Sequence, residues 1–493
     1  MNRLSAVLLR IFQSLWANYN LHPILFVASV FILFGSGLVF ISSSKTNTIT
    51  NFATSFINEP KSITIVPIKP NLPEGAQIEN GHLVHYCKKG DSILKIAKQY
   101  YSYSHIFIRD ELKDALIAMN PNLKRSCNEN ETVVIPEPIL EPMNNQPIQY
   151  NGAVKAIYLR GENTVPGRLS AEVKRIKRAG ANGVVFDVKD ILGVVNYKSN
   201  IEQVEKYRQH NPPIPDLPKT ISYLHLNNIY VIARTAVFQD RNLALVRPDL
   251  AIPDTNSPTG KLLFKGEPLW VDPGHPDVQR YNLQIIDELV RLGVDEIQLD
   301  YIRYPAEGNL SGVSYYKVEN PIDKTEHLKQ FLAGAWILTR NTNVKLAIDV
   351  FGVVAWGEEK DRNSTGQRLE VFAPYIDVVS PMLYPSHFNK GFDGFEKPAD
   401  QPIHFYTTGN QKVREMMGPY VVIRPWLQAF KWRVSNYNES YILQQIQGNR
   451  AGGGEGWMMW NAGNNYDVVY NALGNRGQLE LVESKVVDSK KVN

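Results

Sequence analysis

Eight β-like runs alternate with helical segments between residues 153 and 475, and this alternation constrains the fold more than any other feature of the sequence. Helical segments such as 277–292 and 326–340 lie between most of these runs. The eight runs are 154–160, 183–190, 230–238, 295–304, 344–351, 376–384, 421–428 and 455–461. Strand–helix alternation over about 320 residues predicts an α/β protein with a (β/α)8 TIM barrel, whose functional groups lie at the C-terminal ends of the strands.

The side chains of a strand alternate between its two faces, so the apolar positions of each run identify the face that meets the helices. In the fourth run Ile297 and Leu299 occupy that face, which turns Asp300 towards the barrel interior. The fifth run places Asp349 inward by the same argument. The inward set predicted from runs two, four, five and seven is Asp187, Lys189, Glu296, Gln298, Asp300, Lys345, Ala347, Asp349, Arg424, Trp426 and Gln428.

Two acidic residues at adjacent strand ends predict glycosidase chemistry at this mouth. Neighbouring strands lie about 4.8 Å apart, so carboxylates there can approach the roughly 5–5.5 Å separation of a retaining glycosidase pair. We expect Asp300 to be the nucleophile and Asp349 the acid/base, with Glu358 and Glu359 as rival acids. The opposing interpretation is that Asp300 and Asp349 form structural ion pairs in a barrel that binds glycan without cleaving it.

Polar and aromatic residues near the same strand ends are the expected substrate-binding set. Arg234 or Arg303 is expected to keep Asp300 ionised, and flat aromatic rings suit the faces of sugars. The expected substrate-binding residues are Asp187, Lys189, Arg234, Tyr301, Arg303, Trp356, Tyr384, Arg424, Trp426, Gln428, Trp460 and Asn461.

Several motifs in these runs resemble a bacterial family of predicted glycoside hydrolases, and the similarity covers residues 153–475. The motifs are FDVK (186–189), QLDYIRYP (298–305), DVFG (349–352) and SPMLYP (380–385). The resemblance implies a TIM barrel distantly similar to that of the α-amylase clan. In that clan the nucleophile follows strand four, which agrees with Asp300. The acid of that clan is a Glu after strand five, whereas this chain has Asp349.

Residues 82–138 form a compact segment for which the sequence predicts a strand, two helices and a final strand. The segment resembles a LysM domain through Tyr86, the turn 88–92, Ile96-Ala97, Asn120-Pro121-Asn122 and Val134-Ile135-Pro136. The resemblance implies binding of chains that contain N-acetylglucosamine, such as peptidoglycan. The groove residues that it implies are Gly90, Asp91, Ser92, Asn120, Asn122 and Leu123. The alternative is that these residues only form turns and caps.

The N-terminal region predicts membrane attachment. Residues 24–41 contain no charged side chain, and together with Leu21 they reach about the length that spans a bilayer. Arg3 and Arg10 precede this run, which predicts a cytoplasmic N-terminus and extracytoplasmic C-terminal domains. A cleaved signal peptide is the alternative. The predicted segments are a cytoplasmic N-terminus at 1–20, a single-pass inner-membrane anchor at 21–41 and a linker at 42–81.

Composition excludes several other classes of protein. The two cysteines are too few for a disulfide scaffold or a multi-cysteine metal cluster. Outside the cytoplasm they can pair, and Cys87–Cys127 is then the only intramolecular disulfide available. A net charge of +4 over 493 residues gives no reason to expect nucleic-acid binding.

The remaining segments carry no sign of metal or cofactor chemistry. Asp272, His275 and Asp277 are explained more simply by a helix start than by a metal site, and we expect neither a metal nor a cofactor. A carbohydrate esterase would need a metal-binding cluster of histidines, and the histidine spacing of the large domain does not provide one. Residues 139–152 are predicted to be a second linker, and 476–493 a C-terminal tail.

Overall fold

The computed structural model describes residues 72–123, 126–141, 143–149, 152–208 and 210–474. The predicted cytoplasmic segment, membrane anchor and C-terminal tail lie outside these residues, as does most of the first linker. Within these ranges no helix combines the length and the apolar character needed to cross a membrane. The described chain consists of a small N-terminal module and a large domain.

The small module is a three-stranded antiparallel sheet, in the order β1-β2-β3, with two helices. Its elements are β1 (Ala76–Glu79), β2 (His82–Tyr86), α1 (Ile93–Gln99), α2 (Arg109–Met119) and β3 (Thr132–Val134). Strand β1 pairs with β2, so the module begins earlier than the predicted boundary at residue 82. The signal in the sequence is the Asn80-Gly81 dipeptide, which favours a tight hairpin turn. In the structure the two residues have the positive φ values that such a turn needs, 50° and 80°.

Cys87 and Cys127 are joined by a disulfide, with their Cα atoms 6.1 Å apart. Both residues are buried in the core of the module together with Leu83, Ile96 and Leu112. The bond ties the end of β2 to the segment that leads into β3, across a sequence separation of 40 residues. The predicted pairing is confirmed.

The large domain is built on one parallel sheet of nine strands, in the order β10-β9-β8-β7-β6-β5-β4-β12-β11. The strands are β4 (Val154–Leu159), β5 (Gly183–Lys189), β6 (Tyr230–Ala236), β7 (Glu296–Asp300), β8 (Lys345–Phe351), β9 (Val378–Met382), β10 (Val422–Ile423), β11 (Trp426–Gln428) and β12 (Gly456–Trp460). The two end strands, β10 and β11, are the two halves of the predicted seventh run, so the sheet closes on itself through that run.

Pro425 explains why the seventh run is divided, because a proline has no backbone N–H to donate. Before the proline, Arg424 N donates to Val379 O at 2.9 Å; the proline carbonyl in turn accepts from Met458 N at 3.1 Å. The run therefore bonds first to strand six and then to strand eight of the predicted barrel. The result is a TIM-like barrel with one interrupted strand.

Helices connect the strands and cover the outside of the sheet. They are α3 (Pro166–Arg178), α4 (Glu202–Lys206), α5 (Leu217–Leu226), α6 (Arg241–Val246), α7 (Pro276–Leu292), α8 (Pro321–Thr339), α9 (Glu359–Thr365), α10 (Leu369–Phe372), α11 (Pro402–Met417), α12 (Glu439–Ala451) and α13 (Asp467–Gly474). Helix α7 begins where the sequence predicted a helix start, since His275 Nδ1 accepts from Asp277 N at 3.2 Å and Pro276 occupies the first turn. It ends at Gly293, whose φ is 79°.

Apolar side chains pack in two layers, one on each face of the sheet. Ile297, Leu299, Leu346 and Ile348 belong to the large core between sheet and helices. A smaller cluster fills the barrel interior and includes Tyr158, Val185, Ile232, Trp426 and Met458. The predicted outward faces of runs four and five are confirmed, so their intervening polar residues lie on the inner face.

The small module packs against helix α5 of the large domain. The Phe107 ring stacks on the Tyr223 ring with 3.9 Å between centroids. Lys219 Nζ lies 3.8 Å from the centre of the Tyr101 ring and donates to the backbone carbonyl of Tyr101. The predicted second linker also contacts the large domain, because Asn145 Nδ2 donates to the carbonyl of residue 218 at 2.8 Å. At this point the linker is packed against the domain and is not a free tether.

Candidate active site

Four side chains from strands β4 to β7 form a chain of hydrogen bonds across the barrel interior. Arg234 lies at its centre and donates to Oδ2 of Asp300 through Nε at 3.1 Å and Nη2 at 2.5 Å. Its Nη1 donates to Oδ1 of Asp187. Oδ2 of Asp187 accepts from the Tyr158 hydroxyl at 2.6 Å. All four side chains are buried, so their charges interact with little screening by water.

Arg234 balances the charge of this chain. Burial opposes the guanidinium charge, but the carboxylates of Asp187 and Asp300 raise the pKa of Arg234 well above its ordinary value. Burial, and next the charge of Asp187, raise the pKa of the Tyr158 hydroxyl. Arg234 therefore stays cationic and stabilises the Asp300 carboxylate. Of the two arginines that the sequence offered for this role, Arg234 is the one in contact.

The backbone turns sharply immediately after Asp300. Oδ1 of Asp300 accepts from Tyr301 N at 2.6 Å. Tyr301 has a φ of 53°, a left-handed conformation that costs a residue with a side chain on the order of 1 kcal/mol or more. Such conformations persist where the surrounding contacts hold them, often at functional sites. The turn brings the Tyr301 ring to the wall of the cavity described below.

Asp349 on β8 lies beside Asp300 on β7. Each follows by one position the last paired residues of the two strands, Leu299 and Ile348, and neighbouring strands are about 4.8 Å apart. Burial, and next the charge of Asp300, raise the pKa of Asp349 well above its ordinary value. Asp349 thus holds its proton more tightly than an ordinary carboxyl group and lies beside a second carboxyl group, an arrangement that acid–base catalysis by two carboxyl groups can use.

Hydrogen bonds occupy one oxygen of Asp349 and leave the other free. Oδ1 accepts from Gln298 Nε2 and from Trp426 Nε1, both at 2.5 Å. Oδ2 is buried and makes no hydrogen bond with any residue that the structure describes. The residue is only 1% exposed. It lies behind the wall of the cavity and not in it.

A cavity of about 410 Å³ opens at the C-terminal ends of the strands. The predicted site residues in its wall are Arg234, Asp300, Tyr301, Tyr384, Trp426 and Trp460. The wall residues outside the predicted set are Phe351, Gly352, Val353, Met382, His387 and Phe388. Among the wall residues of the described chain, Asp300 is the one carboxylate.

These residues lie within the DVFG and SPMLYP motifs or shortly after them. Gly352 ends the DVFG motif, and a Cβ atom there would lie 2.5 Å from the carbonyl oxygen of Met382. The ends of β8 and β9 therefore approach too closely for a side chain at this position. His387 lies two residues beyond the SPMLYP motif. Burial, and next the charge of Arg433, lower the pKa of His387, so its imidazole is neutral at pH 7.

Lys189 does not face the barrel interior, and this prediction is wrong. The register between β5 and β6 shifts after Asp187, so that Asp187 pairs with Arg234 and Lys189 pairs with Thr235. A bulge of one residue moves every later side chain to the opposite face. The Lys189 ammonium is fully buried outside the barrel, 2.7 Å from Oδ2 of Asp240.

Two more predicted binding residues are packed away from the cavity. The Arg303 guanidinium carbon lies 4.0 Å from the centre of the Phe351 ring, and Nη2 donates to Glu307 at 2.7 Å. Trp356 packs in an aromatic cluster, 4.9 Å from the Phe388 ring and 5.1 Å from the Phe392 ring. Neither residue is in the wall, because each packs against aromatic residues from other segments of the chain, which local sequence does not reveal.

The rival acids lie outside the cavity wall. Glu358 and Glu359 are exposed, and Glu359 pairs with Arg368 at 2.7 Å and with Arg362 at 3.2 Å. Helix α9 begins at Glu359, and the Glu359 carboxylate belongs to a surface ion-pair group. Neither is positioned to act on a molecule in the cavity.

Three other predicted binding residues support the barrel or its loops. Arg424 donates to both oxygens of Glu296, at 2.8 and 2.7 Å, and it lines a different cavity at the N-terminal ends of the strands. Gln428 donates to Phe430 O at 2.9 Å. Asn461 accepts from Gly463 N at 2.8 Å. The alternation of side chains along the strand correctly placed Arg424 inside the barrel. It could not show that Arg424 lies near the N-terminal ends of the strands, far from the candidate site.

In the small module, most predicted groove residues take part in internal contacts. Asp91 is buried; although burial raises its pKa, hydrogen bonds from Lys95, Lys88 N and His85 lower the pKa of Asp91 to about 2. Ser92 caps helix α1, and the Asn120 side chain bonds both backbone groups of Val134. The remaining groove residues are Gly90, which has a φ of 89°, and the partly or fully exposed Asn122 and Leu123. The cap interpretation therefore holds for Ser92, and the side chains of Asp91 and Asn120 are not free for a ligand.

Comparison with known proteins shows which family the chain matches and which solved structure shares its fold. A family model described as "putative glycosyl hydrolase domain" matches residues 156–466, more than half of the chain. None of the curated proteins compared with the sequence matches it. The glycoside hydrolase domain of PgaB (BpsB) from Bordetella bronchiseptica is 15% identical, with 66% of this chain and 98% of that chain covered and a TM-score of 0.50. That likeness shows a shared fold.

Two further solved structures are similar at lower TM-scores. A hypothetical protein from Ruminiclostridium thermocellum ATCC 27405 is 32% identical over 38% of this chain and 96% of that chain, with a TM-score of 0.34. The spore cortex-lytic enzyme SleL from Bacillus cereus is 12% identical over 79% of this chain and 85% of that chain, with a TM-score of 0.37.

Proposed function

Since the chain belongs to the family described as putative glycosyl hydrolase domains, we propose that its barrel hydrolyses a glycosidic bond in a polysaccharide or cell-wall glycan. The observation that carries this proposal is the pair formed by Asp300 and Arg234. Asp300 is the carboxylate in the cavity wall, and Arg234 holds it with two hydrogen bonds. A fixed anion at the mouth of a barrel suits the positive charge that develops on a sugar ring during cleavage.

The proposed reaction proceeds in two steps with retention of configuration. Asp300 attacks the anomeric carbon while Asp349 donates its proton to the leaving glycosidic oxygen, a step that requires Asp349, which is buried behind the cavity wall, to become accessible when substrate binds. Asp349, now ionised, then takes a proton from a water molecule, whose oxygen releases the sugar from Asp300. The raised pKa of Asp349 supports its role as the proton donor. The distant resemblance to the α-amylase clan also supports Asp300, which follows strand four.

Aromatic wall residues supply the proposed sugar contacts. Tyr384, Trp426 and Trp460 line the cavity, and the rings of Tyr384 and Trp460 lie 6.0 Å apart. Flat aromatic faces exclude water and pack against the C–H faces of sugars. Trp426 has a second role, because its Nε1 also donates to Asp349. It therefore links the sugar-binding wall to the proposed acid.

We propose further that the small module is a LysM-like glycan-binding unit and that residues 21–41 anchor the chain in the inner membrane, with both domains outside the cytoplasm. The disulfide between Cys87 and Cys127 supports an oxidising compartment. Protease treatment of spheroplasts tests this location. Degradation of both domains in intact spheroplasts is expected, whereas protection of both domains would contradict an extracytoplasmic location.

A second candidate function is glycan binding without catalysis. The observation that favours it is the position of Asp349, which is 1% exposed and lies behind the cavity wall. In that case Asp300 and Arg234 would contribute an ion pair to a sugar-binding barrel.

The experiment that decides between the two uses the full-length chain with peptidoglycan and with panels of α- and β-glucans. Release of new reducing ends is measured for the wild type, Asp300→Asn and the matched surface control Glu359→Gln. We expect product from the wild type and the control, and a loss of at least a thousandfold in Asp300→Asn. Equal product from all three proteins would remove Asp300 from catalysis. Binding without product in any of them would support the scaffold.

A further inference from the structure

An aromatic path leads out of the cavity to an exposed tryptophan that no predicted site includes. Tyr384 and His387 lie in the cavity wall. The Phe430 ring is 5.7 Å from Tyr384 and 5.9 Å from His387, and the Trp432 ring is 5.0 Å from His387. Trp432 is 49% exposed. The path therefore runs without a break from the cavity wall to the protein surface.

The loop that carries Trp432 is held in place. The Arg433 guanidinium carbon lies 4.3 Å from the centre of the Trp432 ring, and Nη1 donates to Ser386 O at 3.4 Å. Arg433 itself has a φ of 57°, a left-handed conformation that persists only where the surroundings impose it. Val434, the next residue, is buried. Trp432 is thus presented to solvent by a structured loop, which favours a binding role over a chance exposure of one apolar side chain.

Residues that follow Trp432 in the chain line a polar groove of about 370 Å³. Ser435 in its wall is three residues from Trp432, so the two Cα atoms lie within about 11 Å of each other. The wall of the groove includes Asp400, Ser435, Asn436 and Gln444. The Ser435 hydroxyl donates to Oδ2 of Asp400 at 2.6 Å, and Ser435 N donates to Oδ1 at 2.8 Å. The amide side chains of Asn436 and Gln444 in the same wall offer the donors and acceptors that sugar hydroxyls need. An aromatic ring followed by a polar groove has the two kinds of surface that a saccharide presents.

We propose that Trp432 and this groove form an outer subsite for a saccharide chain whose neighbouring unit occupies the cavity. The proposal rests on the proposed glycosidase function, and it specifies an extended polymer as the ligand. Charged residues of both signs, Lys431, Arg433 and Asp400, lie in or next to the subsite, and Arg433 and Asp400 hydrogen bond to protein groups. We expect the subsite to select for chain length through stacking and hydrogen bonds.

The test compares oligosaccharides of two and of six units, prepared from the polymers named above, on the full-length chain. The variants are Trp432→Ala, Trp432→Phe and the control Tyr420→Ala. Tyr420 is 42% exposed and borders the cavity at the opposite end of the barrel. We expect Trp432→Ala to lose about five- to tenfold in kcat/KM for the six-unit chain and to keep the wild-type value for the two-unit chain. Trp432→Phe keeps most of the preference, and Tyr420→Ala keeps all of it.

Binding measured by calorimetry in an Asp300→Asn background separates this proposal from the proposed hydrolysis. The outer subsite predicts that six-unit chains bind more tightly than two-unit chains, and that Trp432→Ala removes the difference even if no polymer is cleaved. Equal affinity for both lengths, or an equal loss for both in Trp432→Ala, would overturn the outer subsite. An absence of cleavage combined with a length preference that depends on Trp432 would overturn the hydrolysis alone.

Discussion

Arg234 donates two hydrogen bonds to a single oxygen of Asp300, Oδ2, from Nε at 3.1 Å and from Nη2 at 2.5 Å. Its Nη1 donates to Asp187. One buried cation thus orients two buried carboxylates. We expect Arg234→Met to lose about 3–5 kcal/mol of unfolding free energy, because it leaves both carboxylates buried without a cationic partner. Arg234→Lys retains the charge and should lose less stability, yet its turnover should fall at least tenfold because one ammonium cannot replace the planar fork.

The measurements for Arg234 are urea denaturation and reducing-end release. Arg175→Lys is the control, since Arg175 is partly exposed and pairs with Asp467 on the surface, where such pairs contribute about 0–1 kcal/mol. Wild-type turnover in a folded Arg234→Lys variant would show that the geometry at Asp300 does not matter.

Asp349 should make the folded chain less stable as the pH rises from about 4. Its pKa is raised in the folded state by burial and by Asp300, so between the unfolded and folded pKa values the folded state binds more protons. In that interval stability falls with rising pH by about 1.4 kcal/mol per pH unit. Asp349→Asn keeps the Oδ1 acceptor and cannot ionise, so we expect it to abolish activity and to become more stable relative to the wild type as the pH increases from 4 to 7.

Thermal or urea unfolding from pH 4 to pH 7 measures this effect. Asp361→Asn, at a partly exposed position of helix α9, serves as the control. A stability difference between wild type and Asp349→Asn that stays constant over this range would show that the folded-state pKa of Asp349 is not raised.

Glu358→Gln and Glu359→Gln should each keep turnover within about twofold of the wild type. Both residues are exposed, and Glu359 is engaged with Arg368 and Arg362. Steady-state kinetics on the most active polymer of the panel tests this expectation. A hundredfold loss in either variant, with normal folding by circular dichroism, would transfer the acid role away from Asp349.

Lys189→Met should destabilise the chain without altering the turnover of the folded fraction. The Lys189 ammonium and Asp240 are both fully buried and lie 2.7 Å apart, so removal of the cation leaves an unpaired buried carboxylate, at a cost of about 3–5 kcal/mol. Adding Asp240→Asn should recover part of that loss. Reduced kcat in protein shown to be fully folded would argue for a role of Lys189 in the site.

Reduction of the Cys87–Cys127 bond should destabilise the small module. For a loop of 40 residues, the chain-entropy model gives a loss of about 4 kcal/mol. Limited proteolysis with and without reductant is the measurement, and we expect faster cleavage within the module than within the barrel. The double variant Cys87→Ser/Cys127→Ser should behave like the reduced protein, and intact mass should show no free thiol in the untreated chain. Two free thiols there would contradict the disulfide.

The residues most readily predicted from sequence were those on regular strands. Alternation at Ile297 and Leu299 places Asp300 inward, and the same rule places Asp349 beside it. The rule failed at Lys189, because the bulge after Asp187 depends on how two strands pair and has no marker in either strand alone. The rule also could not show that Asp349 lies behind the cavity wall. Its burial depends on side chains from other strands, such as Trp426, that lie between it and the cavity.

Loop residues were predicted least well. His387 and Phe388 follow a recognised motif, but their position in the cavity wall is set by a turn that no periodicity describes. Trp356 was predicted to bind substrate, but its ring packs against Phe388 and Phe392, which come from a separate loop. An aromatic residue in a loop is compatible with both roles until its partners are known.

By itself, the sequence determined the barrel, the inward direction of Asp300 and Asp349, and the single possible cysteine pair, because these follow from periodicity and counting along the chain. Only the tertiary structure decided that Arg234 holds Asp300, that Arg303 and Glu359 do not reach the cavity, and that Trp432 extends the aromatic path to the surface. These relationships join residues from distant strands and loops. Their distances depend on register, closure of the sheet and loop packing, which local patterns do not encode.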